Sequence, residues 1–252
     1  MKKYKISVLT PSYNQGKFIE QTIKSVLNQD YENVEHIVID GGSTDNTLVL
    51  LNKYPHLKWV SEKDEGQSDA LNKGLYMATG DIIGWLNSDD FYENNIFGDV
   101  IKNFQDPTVD WIIGNTVDYF EELNYKRVIR SPTMTYENII KNPDITRQPG
   151  TFHRKTILEK VNGWDDKLRV CMDFELWVRL TKISTPKMIN RTYTYFRIHS
   201  EQKTTPKNKL EYIKVNNSIL KREKISFFRR KRVFLKNYIS VIKYLIKLML
   251  NK

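Results

Sequence analysis

Short apolar runs typical of strands alternate with amphipathic, helix-like segments through the first 90 residues. The strand-like runs are residues 6–10, 36–40, 57–60 and 82–86. Between them, apolar residues recur at intervals of three and four, as they do on one face of a helix. Such alternation predicts an α/β fold in which helices flank a mainly parallel, Rossmann-like central sheet. Ligands of such folds bind beyond the carboxyl ends of the strands, so the residues that follow each run are the first candidates for a site.

Acidic residues stand where three of these runs end. Asp40 closes the second run, Asp64 follows the third, and Asp89 and Asp90 follow Asn87 after the fourth. Two adjacent like charges cost free energy unless a positive group lies beside them, which suggests a divalent cation site at the last pair. Aspartates after a strand also serve as turn or helix-cap residues, so the pair taken alone leaves both interpretations open.

Charge divides the chain into two parts. The net charge is +10, but residues 202–252 hold 15 lysine and arginine residues against two glutamates, whereas residues 1–201 hold 25 against 28 acidic residues. We therefore expect a main domain over 1–201, a basic helical extension over 202–252, and no nucleic-acid partner. The single cysteine, Cys171, excludes an intrachain disulfide. No apolar stretch near the N-terminus resembles a signal peptide, so reducing cytoplasm is the expected compartment.

The extension has the pattern of a basic amphipathic helix. Polar residues from Arg229 to Asn251 recur within a stripe about 100° wide, and apolar residues fill the opposite side. Lysines interrupt the apolar side too often for a membrane-spanning helix, which needs about 18 uncharged residues. Such a helix can lie flat on a lipid surface, or its apolar side can pack on the main domain or on a second subunit.

Six landmarks of this chain resemble those of the family 2 inverting glycosyltransferases, in the same order and spacing over residues 5 to about 200. They are residues 10–14, 40–45, 66–74, 87–90, 148–154 and 173–177. The resemblance implies a GT-A fold, a nucleotide-activated sugar donor, and Mn²⁺ or Mg²⁺ as the usual cofactor. The basic extension lies outside the match.

The resemblance also implies a donor-binding set at the strand ends. Asp40 corresponds to the position that holds the nucleotide base, where a carboxylate accepts a hydrogen bond from a ring N–H. Asp64 matches a position near the base or ribose. Asn87 replaces the first aspartate of the family's Asp-X-Asp motif, and its amide could bond a ribose hydroxyl. The donor-binding set implied is Thr10, Pro11, Tyr13, Asp40, Gly41, Asp64, Asn72, Asn87, Ser88 and Asp89.

Metal and catalytic roles follow from the same resemblance. Asp89 is the expected metal ligand, Asp90 orients or supplements it, and His199 matches a late histidine that can bind metal or diphosphate. Asp173 aligns with the catalytic base, and Glu175 is the second candidate. Such a base takes the proton of an acceptor hydroxyl as its oxygen attacks the anomeric carbon opposite the leaving diphosphate, which inverts the configuration. Diphosphate oxygens complete a metal site that has few protein ligands, so metal and donor binding should be coupled.

Three further residues are candidates for contact with the acceptor or with a phosphate. Gln148 and Trp164 resemble acceptor-side elements, where aromatic faces often cover sugar rings, but core packing is as good an explanation of Trp164. Arg197 could meet a phosphate, which its planar guanidinium suits.

These features imply transfer of one sugar from a nucleotide diphosphate donor, most naturally a UDP-sugar, to a glycan or lipid-linked glycan. We expect such an enzyme to act in cell-surface polysaccharide synthesis, such as that of O-antigen, peripherally on the inner face of the membrane. The chain lacks the Gly-X-Gly-X-X-Gly turn of Rossmann dehydrogenases and the Gly-X-X-X-X-Gly-Lys loop of phosphate-loop nucleotidases. A sugar-nucleotide nucleotidyltransferase and a non-catalytic membrane or nucleic-acid binding module are the alternatives. The sugar, the acceptor and the oligomeric state stay open.

Overall fold

Strands and helices alternate in the computed structural model, which describes residues 2–143, 148–203 and 208–231, together with 233 and 235. The strands in these residues are β1 (Ile6–Ser12), β2 (Val34–Asp40), β3 (Lys58–Ser61), β4 (Ile82–Trp85), β5 (Phe91–Tyr92), β6 (Trp111–Phe120), β7 (Tyr125–Ile129), β8 (Thr151–Arg154) and β9 (Lys187–Ile198). The helices are α1 (Ile19–Leu27), α2 (Thr47–Leu51), α3 (Gln67–Met77), α4 (Phe97–Phe104), α5 (Tyr136–Lys141), α6 (Lys155–Lys160), α7 (Met172–Thr181) and α8 (Lys209–Arg222).

One mixed sheet contains the nine strands of the described residues. Its order is β3-β2-β1-β4-β8-β6-β9-β5, and β7 pairs with β6. The strands of the first 90 residues pair in parallel, β1 with β2 and β4, and β2 with β3. Beyond β4 the pairs are antiparallel except for β6 with β9. The α/β fold class is confirmed, although the parallel arrangement dominates only the half of the sheet that the alternating segments build.

Apolar side chains cover both faces of this sheet. One cluster packs α3 and α7 on one face, and a second packs α4 on the other. Leu9 belongs to the first cluster and Val8 to the second, as expected for neighbours that point to opposite faces of a strand. Burial on both faces explains why these strands appear in the sequence as continuous apolar runs.

Residues 111–129 form a hairpin that no alternating pattern in the sequence predicts. Strand β6 extends to Phe120, a 3₁₀ turn follows, and Asn124 in the left-handed region (φ 45°) leads into β7. Nearly all of β7 is exposed, so its sequence lacks the alternation that reveals a half-buried strand. Arg127 of β7 donates to the buried Asp118 at 2.6 Å and ties the hairpin together.

The first part of the predicted basic extension packs on the main domain. Helix α8 buries Ile213, Ile219 and Leu220, and the last two lie in the same cluster as α7. Residues 227–231 are helical again. Most of the amphipathic helix predicted over residues 229–251 lies outside the described residues. Within the described part of the chain, none of the helices has the length and apolar character that a membrane crossing requires.

Candidate active site

The candidate site lies at the carboxyl ends of the parallel strands. The register pairs Ser12 at the end of β1 with Asp40 of β2, and Asp40 with Ser61 of β3. Residues 62–66 and 87–90 therefore leave the sheet at the same edge as the Asp40 turn. This edge is the one that the alternation of strands and helices indicates.

Asp40 anchors the turn that follows β2. Its fully buried carboxylate accepts hydrogen bonds from the backbone N–H groups of Gly42 at 3.1 Å and Ser43 at 2.8 Å. The hydroxyls of Ser43 and Ser61 donate to it as well, at 2.5 and 2.7 Å. Oδ2 accepts three of these bonds and Oδ1 accepts one, so the carboxylate anchors the turn, while contact of Asp40 with a nucleotide base stays a prediction.

Asp64 comes next to the Asp40 turn because Gly41 has no side chain. A Cβ at Gly41 would lie 2.8 Å from Asp64 Oδ2. The other oxygen, Oδ1, accepts from the backbone N–H of Gly66 at 2.9 Å, which fixes the half-buried carboxylate above the turn. The structure thus brings Asp40, Gly41 and Asp64 of the predicted donor-binding set together.

Other members of the predicted donor-binding set are either buried beneath the strand ends or exposed at the surface. Thr10 is buried, and its Oγ1 lies 2.9 Å from Nε2 of His36, whose pKa burial lowers to about 3, so the imidazole is neutral. Pro11 and Ser88 are buried beside the same strand ends. Tyr13 is 60% exposed. Tyr13 is therefore the member of this group that a ligand can reach without rearrangement.

Asn87 joins four parts of the fold. Its Oδ1 accepts from Nε2 of Gln67 at 2.7 Å and from Nε1 of Trp85 at 2.9 Å. Its Nδ2 donates to Asp90 at 3.3 Å and to Gln148 at 3.1 Å. An amide has two acceptor and two donor directions, and all are used here. This argues against the predicted bond from Asn87 to a ribose hydroxyl and makes the residue a brace of the loop.

Asp89 and His199 come together although 110 residues separate them in sequence. Oδ2 of Asp89 lies 3.1 Å from Nε2 of His199. The Asp89 side chain is 22% exposed and that of His199 is 5% exposed. Neighbouring ligands at about 2.1 Å from one cation lie roughly 3 Å apart, so this pair fits adjacent positions of a divalent ion.

Asp90 turns away from this pair. Its buried carboxylate accepts from the backbone N–H of Arg197 at 2.9 Å and from Asn87. Burial, together with the negative charge of Asp89, raises the pKa of Asp90 well above its ordinary value. Among the described residues, no group of three or more His, Cys, Asp or Glu side chains could hold a metal. Asp89 and His199 stay the candidate metal ligands, and the geometry favours a structural role for Asp90.

Arg197 holds the backbone of Asp89 from behind. Its buried guanidinium donates to the Asp89 carbonyl at 2.9 Å, and also to Gln21 and Glu121. Three aromatic rings surround it, with centroids 5.1 to 5.7 Å away. Because these partners engage three of its N–H groups inside the protein, the geometry favours a supporting role for Arg197 over contact with a phosphate.

The two candidate bases of α7 have different surroundings. Asp173 lies half-buried in the first turn, where its Oδ1 accepts from the next backbone N–H at 2.8 Å. The helix dipole stabilises an ionised carboxylate at this place. Glu175 is buried and accepts from Arg179 at 2.6 Å and from Arg222 of α8 at 2.5 Å. This double pairing argues against Glu175 as the base and leaves Asp173 as the candidate.

The segment that leads into α7 lies against the turn that begins α3. Ser68 donates to the Leu168 carbonyl at 3.1 Å. A Cβ at Gly66 would lie 3.2 Å from the Arg169 guanidinium, which also pairs with Glu65 at 3.2 Å. The neighbouring Gln67 donates to Asn87 in the loop after β4. The turn that begins α3 therefore contacts both this loop and the segment that leads into α7.

Comparison with known proteins identifies the family to which this arrangement belongs. A family model described as glycosyl transferase family 2 matches residues 7–162, more than half of the chain. The chain belongs to glycosyl transferase family 2. The match includes the Asp40 turn and the loop after β4, and it ends before α7 and His199.

Three proteins illustrate the likeness of this family 2 member to others. Chondroitin synthase from Pasteurella multocida is 26% identical over 239 residues, which are 88% of this chain and 24% of that protein. Staphylococcus aureus TarS in complex with UDP-GlcNAc has a TM-score of 0.66 at 20% identity and covers 94% of this chain and 73% of its own. PcManGT from Pyrobaculum calidifontis, in complex with GDP-Man and Mn²⁺, has a TM-score of 0.65 at 16% identity over 94% of this chain and 70% of its own.

These comparisons confirm the GT-A fold that the resemblance implies. At such low identities the two solved structures show the fold alone. The chain covers between 24% and 68% of the length of curated relatives such as a Rickettsia glycosyltransferase, GlyG of Streptococcus pneumoniae and the chondroitin synthase.

Three residues of this family 2 member that are predicted to contact the acceptor or the donor are instead packed inside the protein, below the strand ends. Trp164 is buried with its ring edge-on to Trp85, at 5.5 Å between centroids. Asn72 holds the backbone of Trp164, accepting from its N–H at 2.9 Å and donating to its carbonyl at 2.8 Å. Gln148 is buried and donates to the Trp85 carbonyl at 2.6 Å. The geometry therefore favours core packing for Trp164 and supporting roles for Asn72 and Gln148.

Lys203 is a further candidate for the site, although no pattern in the sequence points to it. Loss of hydration is the main cause of its lowered pKa, against which the charges of Asp64 and Asp89 act, while Arg169 adds to the lowering. The lysine thus brings a positive charge near both acidic positions. Its place four residues after His199 is the only sequence signal, and an irregular segment gives such a residue no periodic pattern.

Proposed function

We propose that this protein transfers a single sugar, with inversion, from a UDP-sugar to a glycan or lipid-linked glycan acceptor in cell-surface polysaccharide synthesis. The observation that carries the proposal is the Asp89–His199 pair at the ligand-binding edge of a GT-A sheet. The complexes of TarS with UDP-GlcNAc and of PcManGT with GDP-Man and Mn²⁺ support a nucleotide-sugar donor and a divalent metal. The likeness to a chondroitin synthase supports a polysaccharide product.

The donor would lie along the strand ends, with Tyr13 and Asp64 toward the nucleoside and Lys203 toward the diphosphate. Asp89 and His199 would hold Mn²⁺ or Mg²⁺. When bound, such an ion supplies positive charge that stabilises the leaving diphosphate. Because this chain gives the ion two ligands, diphosphate oxygens would complete its coordination, which is why metal and donor binding should depend on each other.

Asp173 would act as the base for the acceptor. The acceptor oxygen forms a bond to the anomeric carbon while the bond from that carbon to the diphosphate oxygen breaks. The proton of the acceptor hydroxyl moves to the Asp173 carboxylate, and the nucleoside diphosphate leaves with the electron pair of the broken bond. Asp173 lies in the first turn of α7, where the positive end of the helix dipole favours a carboxylate over a carboxylic acid.

The test is release of nucleoside diphosphate from a panel of UDP-, GDP- and dTDP-sugars with Mn²⁺ or Mg²⁺, with the anomeric configuration of the product read by NMR. We expect UDP release, inverted product, and a loss of kcat of about 10²- to 10⁴-fold in Asp173→Asn. Glu159→Gln, at an exposed position of α6, is the matched control and should behave as the parent. Release of pyrophosphate, or full activity of Asp173→Asn, would contradict the proposal.

Attachment to the inner membrane surface is part of this proposal. Its support is the positive charge of residues 202–252, because anionic lipids attract basic segments to the cytoplasmic surface. We expect the whole chain to float with anionic vesicles and a chain stopped after residue 225 to stay behind.

A further inference from the structure

Two adjacent phenylalanines project from the protein just beyond α8. Phe227 is 62% exposed and Phe228 is 83% exposed, and their ring centroids lie 5.9 Å apart at an angle of 75°. Paired aromatic side chains in water forgo a large hydrophobic gain, so such a patch marks a surface that contacts something else. We propose that this pair inserts into the interfacial region of an anionic bilayer. The proposal rests on the proposed function, whose membrane attachment it makes specific.

A turn at the end of α8 connects the phenylalanine pair to the main domain. Helix α8 ends with Lys224 in the left-handed region (φ 56°). The N–H of Ile225 then bonds the Leu220 carbonyl at 3.1 Å, and that of Lys224 bonds the Lys221 carbonyl at 2.9 Å, the pattern of a Schellman cap. Arg230 donates to the Ile225 carbonyl at 3.0 Å. The direction in which the phenylalanines point is therefore set by hydrogen bonds to α8.

This segment has apolar side chains in two directions. Ile225 and Val233 are partly buried against the cluster that contains α7 and α8. Phe227 and Phe228 lie outside that cluster and are largely exposed. The inward residues account for docking on the domain, so the outward pair needs a second, different partner.

The positive charges next to the phenylalanine pair favour a negatively charged partner. Arg229, Arg230 and Lys231 follow the pair directly, Lys224 precedes it, and residues 224–235 contain no acidic residue. Anionic headgroups attract such a cluster, and aromatic rings favour the boundary between headgroups and acyl chains. A second copy of this chain would bring the same positive charge to the contact, which opposes self-association through this surface.

The contact would also orient the catalytic residues toward the membrane. Arg222, near the end of α8, bonds Glu175 of α7 at 2.5 Å and Asp165 at 2.7 Å. Asp173 lies two residues before Glu175, and both belong to the first turn of α7. Membrane contact and candidate base thus belong to one docked pair of helices, an arrangement that suits an acceptor carried by a lipid.

The experiment is flotation of the full chain with two kinds of vesicle. One contains phosphatidylcholine alone, and the other contains phosphatidylcholine with about 30% phosphatidylglycerol. The variant is Phe227→Ser with Phe228→Ser. Its control is Tyr76→Ser with Leu123→Ser, which removes two side chains that are 92% and 74% exposed elsewhere. We expect the phenylalanine variant to lose at least about tenfold in partition to anionic vesicles, and the control to stay within about twofold.

Two outcomes would overturn this inference. One is a phenylalanine variant that floats as well as the parent. The other is a parent that sediments as a dimer and a phenylalanine variant that sediments as a monomer, since the partner would then be a second copy. UDP release with a water-soluble acceptor separates this inference from the proposed function. If the parent lacks that activity but still binds vesicles through the phenylalanines, the proposed reaction fails while the membrane contact stands.

Discussion

Asn87 makes hydrogen bonds that the aspartate of the family motif could not make. Its Nδ2 group donates to the carboxylate of Asp90 and to the amide oxygen of Gln148. A carboxylate at this place would put oxygen against oxygen in both contacts. The departure from the Asp-X-Asp pattern therefore has a structural reason, because a buried acid next to it needs a donor.

Asn87→Asp should weaken the protein without improving its metal site. It removes two buried donors and places a second carboxylate beside Asp90, so we expect a loss of about 1–3 kcal/mol in the free energy of unfolding. Urea denaturation measures this loss, and calorimetry with Mn²⁺ and UDP measures the metal site. Asn52→Asp, at an exposed position, should leave both quantities close to those of the parent. Tighter Mn²⁺ binding at unchanged stability would contradict this account.

Arg197→Lys should lower metal affinity even though it keeps the positive charge. A lysine ammonium cannot reproduce the planar contacts that hold the Asp89 carbonyl, Gln21 and Glu121. Loss of such support commonly costs a metal site about 10- to 100-fold in affinity. Calorimetry of Mn²⁺ in the presence of UDP provides the measurement. Arg191→Lys is the control, and equal affinities for both variants would show that Arg197 acts by charge alone.

At the scale of elements, α7 and α8 are joined by buried charge as well as by apolar packing. Glu175 lies between Arg179 and Arg222, and Glu223 pairs with Lys182. This junction couples the helix that carries Asp173 to the helix that precedes the exposed phenylalanines. Mutation can separate the contribution of this junction to stability from the contribution of α7 to catalysis.

Glu175→Gln is expected to reduce stability but to leave turnover intact. The substitution removes the carboxylate that Arg179 and Arg222 share, but Arg222 keeps its pair with Asp165 and is about half exposed, so we expect a loss of about 1–3 kcal/mol. The readouts are Tm and kcat, the latter at a temperature where the variant is folded. We expect kcat within about threefold of the parent, the reverse of the pattern for Asp173→Asn. A large loss of kcat in the folded variant would restore Glu175 as the candidate base.

Glu35 joins three neighbouring strands and the loop before β4. Burial alone would raise the pKa of Glu35, but hydrogen bonds from Lys58, Ser7, Thr79 and Lys5 outweigh it and hold the pKa well below the ordinary 4.5. A group whose pKa is lowered by folding stabilises the native state above its unfolded pKa, and this contribution is lost on acidification.

Glu35→Gln should therefore destabilise the protein most above about pH 5. We expect a difference of about 2 kcal/mol from the parent at pH 7, which shrinks as the pH falls below 4.5 and the parent loses its advantage. Urea unfolding of both proteins across this pH range gives the measurement. A difference that is constant with pH would mean that the ionised carboxylate is not the stabilising species.

The sequence predicts those elements whose burial leaves a local pattern. The strands β1, β2 and β4 are recognisable because both of their faces are covered. Strand β7 is not, because its exposed side chains do not alternate. The contacts that define roles are harder still: Asn72 meets Trp164 across 92 residues, and Arg197 meets Asp89 across 108. Local periodicity carries no information about partners so far apart, so the roles of Asn87, Asn72 and Arg197 had to come from the structure.

At the scale of the whole molecule, metal and donor should stabilise the fold together. Two protein ligands make a weak site for a divalent ion, so neither Mn²⁺ nor UDP alone should shift Tm much. Together, at about 100 times the dissociation constant, they should add about 2.7 kcal/mol, or roughly 5–10 °C in Tm for a chain of this size. Differential scanning fluorimetry with each ligand and with both is the measurement. Equal shifts from UDP with and without Mn²⁺ would contradict the coupling.

Contacts within the protein brace the loop that carries Asp89. Asn87 and Arg197 fix the loop through contacts with the rest of the protein, so the conformational entropy of this loop is lost when the chain folds. Capture of a cation then requires no slow ordering of the backbone. In a rapid-mixing experiment we expect the uptake of Mn²⁺ with UDP to appear as one fast phase. The rate of that phase would be set by the exchange of water on the ion and not by a motion of the protein.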